Sequence, residues 1–213
     1  MKIKTFTFSP FQENTYIIWD EDTKEACIID PGCFNNSEEE QLKDFIDTNE
    51  LAVKYLLNTH CHIDHVFGNR FVKETFNPKF LAPEEDIPLL EKAVDQGKQF
   101  GLPVNPSPKP DEFLDEQNKL TLGNIECKLL FTPGHTPGEF CFYFPSYEVC
   151  ITGDVLFKGS IGRTDLWRGD FNTLMDSIKT KLLTLPDETV IYPGHGGSST
   201  IGDEKVSNSF LQN

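Results

Sequence analysis

A layered α/β sandwich, with two helical layers outside two packed sheets (a four-layer αββα arrangement), is the fold class this sequence predicts. Three observations point to it. The chain opens as a run of strands and passes into alternating helix and strand patterns. Strand-like runs return after residue 118 and close in a helix–strand–helix order, so helices flank both sets of strands. The 213 residues contain no internal repeat and no Pro/Gly/Ser-rich linker, which suits one domain over 1–213.

KIKTFTF, NTYIIWD and EACIIDPG are rich in β-branched and aromatic residues between turn formers, and they predict a β meander. Ser37 and Glu40 form an S-x-x-E capping box ahead of Leu42, Phe45 and Ile46, whose spacing marks one face of a helix. VKYLLNTH is expected as a strand ending at His60, followed by a helix over VFGNRFVKETF, a short strand KFLAP, and a helix from Glu84 to about Phe100. Residues 101–118 hold four prolines and read as an extended surface connector, with a lid as the alternative. IECKLLF, FCFYF and YEVCITGD are the later strands; a helix from about Asp170 to Leu183, the strand TVIYPG and a terminal helix near 203–211 complete the chain.

Composition narrows the function. Nineteen Lys plus Arg against 34 Asp plus Glu give a net charge of −15, a field that repels nucleic acid and anionic membranes. A small anionic substrate stays possible, because bound divalent cations reverse the local potential. The first ten residues lack an apolar secretory core and no run of 18 apolar residues occurs, so a cytoplasmic protein is expected. Six cysteines without a CxxC pair read as buried, reduced thiols.

Five histidines carry the chemistry. THCHIDH places His60, His62 and His65 within six positions and adds Asp64. In extended geometry His60 and His62 point the same way, suited to chelating one ion, while Cys61 points to the other face. Asp64 and His65 follow in the turn into a helix, and they bring further oxygen and nitrogen donors. His135 in FTPGHTPG, His195 in IYPGHGG and Asp154 in ITGD stand at other strand-to-loop junctions, where a carboxylate can bridge two cations. Singly, each is more often a surface histidine or turn aspartate. Together, five histidines and two aspartates at strand ends make a set of seven donors for two metals.

The ordered series THCHIDH, TPGHTPG, TGD and YPGHG resembles the metallo-β-lactamase superfamily, whose HxHxDH signature anchors a dinuclear site in an αββα sandwich. The resemblance implies that His60, His62 and His135 hold one metal, that Asp64, His65 and His195 hold the other, and that Asp154 bridges them. Within the superfamily, GDVLFKGSIGRTDLWRGD, the FTPGHTPGEF loop and YPGHGGSSTIGDEKVSNSFL are similar to the glyoxalase II-like, hydroxyacylglutathione hydrolase group. Glyoxalase II carries a C-terminal helical domain that helps hold glutathione, whereas 18 residues follow His195 here, and the thiol specificity is thereby left open. Arg163 falls where that group places a basic residue against the thiol-peptide portion of the substrate; a salt bridge to Asp165 is the alternative.

The implied reaction is hydrolysis of a small-molecule acyl thioester, S-lactoylglutathione or an analogue, by hydroxide bridging two divalent ions. The metal of His60, His62 and His135 polarises the carbonyl, the second orients the hydroxide, and Asp64 binds and can relay the nucleophile's proton. Mixed N/O ligation suits Zn²⁺, Fe²⁺ or Mn²⁺, with zinc the default. Persulfide dioxygenases are similar too, GRTD included; for their single iron His60, His135 and Asp154 would suffice. Lactonase or another ester hydrolase, and a metal-stabilised binding domain, are further alternatives, and the oligomeric state is open.

Overall fold

The computed structural model describes residues 1–212, which form two compact units. One comprises residues 1–113 with 121–125, the other 114–120 with 126–212.

The first unit is built on a six-stranded sheet in sequence order: β1 (Lys2–Phe8), β2 (Glu13–Trp19), β3 (Glu25–Ile29), β4 (Ala52–Leu57), β5 (Lys79–Ala82) and β6 (Glu112–Phe113). The meander β1–β2–β3 is antiparallel, whereas β3 to β6 run parallel, because a helix crosses over between successive strands. Those helices are α1 (Asn36–Thr48), the pair α2 (Ile63–Val66) and α3 (Asn69–Phe76), and α4 (Ile87–Phe100). Leu42 and Ile46 of α1, Val72 of α3 and Leu89, Leu90 and Ala93 of α4 join Ile17, Ile28, Leu56 and Phe80 of the sheet in one core. Each such large side chain contributes roughly 1.5–3 kcal/mol on burial.

Local chemistry differs from expectation at two helix starts. Asn35, not Ser37, caps α1, accepting from the backbone N–H groups of Ser37 and Glu38. Glu38, three residues on, accepts from Phe34 N–H, one residue before the cap, and so anchors the chain entering the helix; the cap lies two residues before Ser37. The helix expected from Val66 instead begins at Ile63 and restarts at Asn69 after Gly68. Asp64 and His65 therefore lie in a helical first turn rather than in a loop. In the connector after α4, Leu102 and Val104 pack on the core, Lys73 pairs with Asp111, and Glu112–Phe113 add the sixth strand.

The second unit carries most of a sheet of order β14–β13–β10–β9–β8–β7, the end of β7 and the first residue of β8 falling within 121–125: β7 (Lys119–Leu122), β8 (Ile125–Phe131), β9 (Phe140–Phe144), β10 (Val149–Gly153), β13 (Val190–Pro193) and β14 (Ser199–Thr200). A small hairpin, β11 (Leu156–Phe157) with β12 (Ser160–Ile161), forms a separate two-stranded sheet whose Leu156 and Ile161 pack in the same core as Cys141, Cys150 and Ile191. The strands β11, β12 and β14 have two residues each, too short to show a period-2 pattern, whereas β7 alternates exposed and buried residues over KLTL; the sequence did not suggest any of the four. Asp170 caps α5 (Phe171–Ser177) through Thr173 N–H, and the helix continues into a π-helical turn over Ile178–Leu182. Leu174, Ile178 and Leu182, spaced by four, pack with Ile201 of α6 (Ile201–Ser207) against Cys141, Cys150 and Ile191 of the sheet. All six cysteines are buried and unbridged, as expected. Among the described residues no helix is long and apolar enough to cross a membrane.

Candidate metal centre

In each unit donors sit just beyond the carboxyl ends of adjacent parallel strands, while His135 follows β8, which runs antiparallel to β9. Ile29 of β3 lies level with Leu57 of β4, so Asp30 and the Asn58–His65 segment leave the sheet side by side. Gly153 of β10 lies level with Pro193 of β13, which sets Asp154 beside the loop that carries His195. The bond from Gly194 N–H to Gly153 C=O, 2.7 Å, ties those two exits together.

In the first unit, strand alternation is not what aims the histidines. β4 stops at Leu57, three residues before His60, because the chain bends through Thr59. The His60 ring nevertheless stands 4.9 Å from that of His62 and 4.0 Å from that of His65. Cys61 does point elsewhere: its side chain joins the helix-side core, and burial, with the nearby Asp86 and Asp30 charges, pushes its thiol well up. A thiol held protonated is a poor ligand.

Asp30 organises this half. It is a non-glycine residue at φ 49°, a left-handed conformation aspartate tolerates better than most, and it is 1% exposed. Its carboxylate accepts from Thr59 N–H (2.7 Å), Thr59 Oγ1–H (2.6 Å) and His65 Nδ1–H (3.1 Å). Because the Thr59 hydroxyl donates to Asp30, it faces His60 Nδ1, 3.0 Å away, as an acceptor. Both imidazoles thus carry their proton on Nδ1 and their lone pair on Nε2, the tautomer a metal requires. Asp30, His60 and His65 each bring one donor atom to within 4.8 Å of the other two. Glu13, fully buried, places Oε1 4.0 Å from His65 Nδ1 and accepts from Thr15 Oγ1–H; burial raises its carboxyl well above the usual range, against the pull of His65.

In the second unit, His135 donates from Nδ1 to the Arg163 carbonyl at 2.7 Å, which assigns its lone pair to Nε2 as well. Asp154 Oδ2 stands 3.6 Å from His135 Nε2 and 3.6 Å from His195 Nε2. These separations exceed a hydrogen bond of about 2.7–3.2 Å. They match the edge between two ligands of one tetrahedral ion, about 3.4 Å for bonds of about 2.1 Å. His65 Nε2 to Asp64 Oδ2, at 3.8 Å, has the same character. A carboxylate oxygen equidistant from two imidazole nitrogens fits a bridging ligand, so the donor set suits divalent cations. Glu139 accepts from Asp154 N–H at 2.7 Å, and a Cβ on Gly162 would lie 1.9 Å from Asp154 O, so the backbone here admits no side chain.

Of the expected residues, the first unit therefore gathers His60, His62, Asp64 and His65, and the second gathers His135, Asp154 and His195. Arg163 makes the bidentate pair with Asp165, at 2.7 and 2.8 Å, on an exposed loop. Sequence reasoning missed Asp30, Thr59, Glu13 and Glu139. Asp30 carried a usable signal, an Asp-Pro-Gly turn directly after a strand; Glu139 looked like any loop carboxylate.

The sequence profile of the metallo-beta-lactamase superfamily matches residues 8–195. The chain is 43% identical to the hydroxyacylglutathione hydrolase GloC of Haemophilus influenzae over 213 residues, 99% of this chain and 98% of that one. Among solved structures, the BLEG-1 B3 metallo-beta-lactamase superposes with a TM-score of 0.91 at 35% identity, over the whole of both chains. TTHA1623, in a di-iron-bound form, superposes with a TM-score of 0.87 at 36% identity, over 98% of this chain and 100% of that one.

Proposed function

Since the chain belongs to the metallo-beta-lactamase superfamily and is a metallo-hydrolase of α/β fold, we propose that it cleaves a small-molecule acyl thioester of the S-lactoylglutathione type. The observation that carries this substrate class is the near full-length similarity to a hydroxyacylglutathione hydrolase.

On this reading His60, His62 and His135 serve one ion, Asp64, His65 and His195 the other, and Asp154 both. Divalent cations held there supply Lewis acidity, lowering the pKa of water toward neutrality and polarising a carbonyl. Asp30, Thr59 and the Arg163 carbonyl keep three imidazoles in the binding tautomer, at no reorganisation cost during turnover. Asp64, 13% exposed at its side chain, accepts the proton of the attacking water. The departing thiol, with a pKa of about 8.5, leaves as thiolate without a dedicated acid. Arg163 meets the thiol-peptide portion. Zinc is the default ion, and the di-iron-bound relative makes iron the competing assignment. Six reduced, buried thiols accord with a cytoplasmic setting.

A second reading, β-lactam hydrolysis, is favoured by the B3 metallo-beta-lactamase neighbour. Anaerobic purification, elemental analysis and paired assays decide. We expect close to two metals per chain and thiol release from S-lactoylglutathione, abolished in His62→Ala. One iron with persulfide-dependent oxygen uptake, the mononuclear dioxygenase alternative on His60, His135 and Asp154, would overturn the reading. Faster turnover of a chromogenic cephalosporin or a lactone than of any thioester would replace it.

A further inference from the structure

One buried carboxylate in the second unit ties together two segments that flank His195. Glu204 of α6 is 1% exposed. Its Oε1 accepts from the Ser199 hydroxyl at 2.5 Å, four residues past His195. Its Oε2 accepts from Gly159 N–H at 2.8 Å, in the turn of the β11–β12 hairpin. Asn208, fully buried, donates from Nδ2 to the same Oε2 at 2.8 Å and to Ser160 C=O at 3.0 Å, so the turn is held at two successive residues. A carboxylate taken out of water destabilises the fold unless hydrogen bonds replace its hydration, and here three neutral donors do so.

Both tethered segments bear on His195. The hairpin carries Phe157, whose ring meets the His195 imidazole at 6.4 Å with an interplanar angle of 61°. On the other side Gly196, at φ 76°, and Gly197 follow His195, and a Cβ on either would meet nothing within 4 Å, so this stretch is unpacked until Ser199. The His195 side chain is 30% exposed, against 3% for His135, so packing confines it less. The base of the hairpin is locked separately: Gly162 N–H donates to Val155 C=O at 3.2 Å, and Leu156 and Ile161 are buried in the core. Asp154 and the Arg163 carbonyl, which flank that base, keep their places without Glu204. The tip, with Lys158 and Gly159 exposed, depends on it.

We propose that Glu204 is a positioning residue for His195, holding Phe157 and the Ser199 end of the His195 loop in register through hydrogen bonds to neutral donors. The inference rests on the reading in which His195 serves one of two ions, and it adds a residue from the C-terminal helix to what that ion depends on.

The test compares Glu204→Ala and Glu204→Gln with the unaltered protein. Glutamine keeps the geometry: its amide oxygen accepts from Gly159 and Asn208, and its amide nitrogen donates to the Ser199 hydroxyl, which turns from donor to acceptor. Two readouts are taken: Zn²⁺ titration of the full chain against a chromogenic chelator, and imidazole ¹H–¹⁵N spectra of the five histidines with zinc and in chelator. We expect Glu204→Ala to weaken one ion about tenfold and to leave the other unchanged, with the His195 resonances displaced and those of His135 in place. Glu204→Gln should match the unaltered protein in both. If Glu204→Ala does not fold, Ser199→Ala and Asn208→Ala, each cutting one tether, should displace the same His195 resonances. That displacement in chelated protein supports the inference even if the chain holds one ion or cleaves no thioester, outcomes that sink only the reading it rests on. A lower melting temperature with the His195 resonances unmoved, equal weakening of both ions, or a glutamine variant as impaired as alanine overturns it.

Discussion

Replacing Asp30 by asparagine tests whether one carboxylate orients two histidines. The side chains are isosteric, but the carboxylate accepts three hydrogen bonds and the amide offers one oxygen. If that oxygen keeps Thr59 N–H, the amide nitrogen faces both Thr59 Oγ1 and His65 Nδ1. The hydroxyl must then turn away from its acceptor, and His65 must move its proton to Nε2. Two charge-assisted bonds are lost at a site 1% exposed. At about 1.5 kcal/mol each, the low end for bonds to a charged group, the cost is roughly 3 kcal/mol. For a chain of this size that lowers the melting temperature of chelated protein by roughly 6–12 °C. Metal affinity should fall about 10–100-fold at both ion sites, since His65 is turned directly and His60 through Thr59. Circular dichroism melts in chelator and competition with a chromogenic chelator measure the two effects. Thr59→Val, which removes only the relay to His60, should spare the Asp30–His65 bond and weaken one site more than the other. Unchanged melting and unchanged affinity in Asp30→Asn would refute the role assigned to this carboxylate.

Gly162→Ala should cost about 1–3 kcal/mol and reduce metal content, because its Cβ collides with the carbonyl of Asp154; melting curves and elemental analysis check this. The Arg163 guanidinium holds the Asp165 carboxyl down to about 2, a value that carboxyl-carbon NMR should find and that should rise toward about 3.9 in Arg163→Ala. Because the folded pKa is depressed, the pair's contribution is present above the unfolded value and is lost as pH falls from near 4 through about 2. The same variant should melt normally at neutral pH, the pair being exposed, and raise KM if Arg163 meets the substrate. Cys61→Ala should keep the full metal stoichiometry, since its thiol lies in the core; loss of one metal in that variant would make it a ligand after all.

Much of the fold was legible in the chain. Long apolar runs such as NTYIIWD and FCFYF have few alternatives to a strand, and Leu42, Phe45 and Ile46 admit one helical face. The unread parts were those where local signals compete. Asn35 and Ser37 are both good caps, and the hydrogen bonds that Glu38 accepts from Phe34 N–H and Ser9 N–H decide in favour of Asn35. THCHIDH looked like the end of a strand because histidine and threonine fit a strand as well as a bend.

Which side chains are donors was already written in the chain, because imidazoles and carboxylates at strand ends and in Gly/Pro turns are chemically marked wherever they fall. Which nitrogen of each ring carries the lone pair was not, since that depends on the partner of the other nitrogen. Those partners, Asp30 for His65 and the Arg163 carbonyl for His135, lie 35 and 28 residues away along the chain. They come into reach through strand register and loop path, which no local pattern encodes.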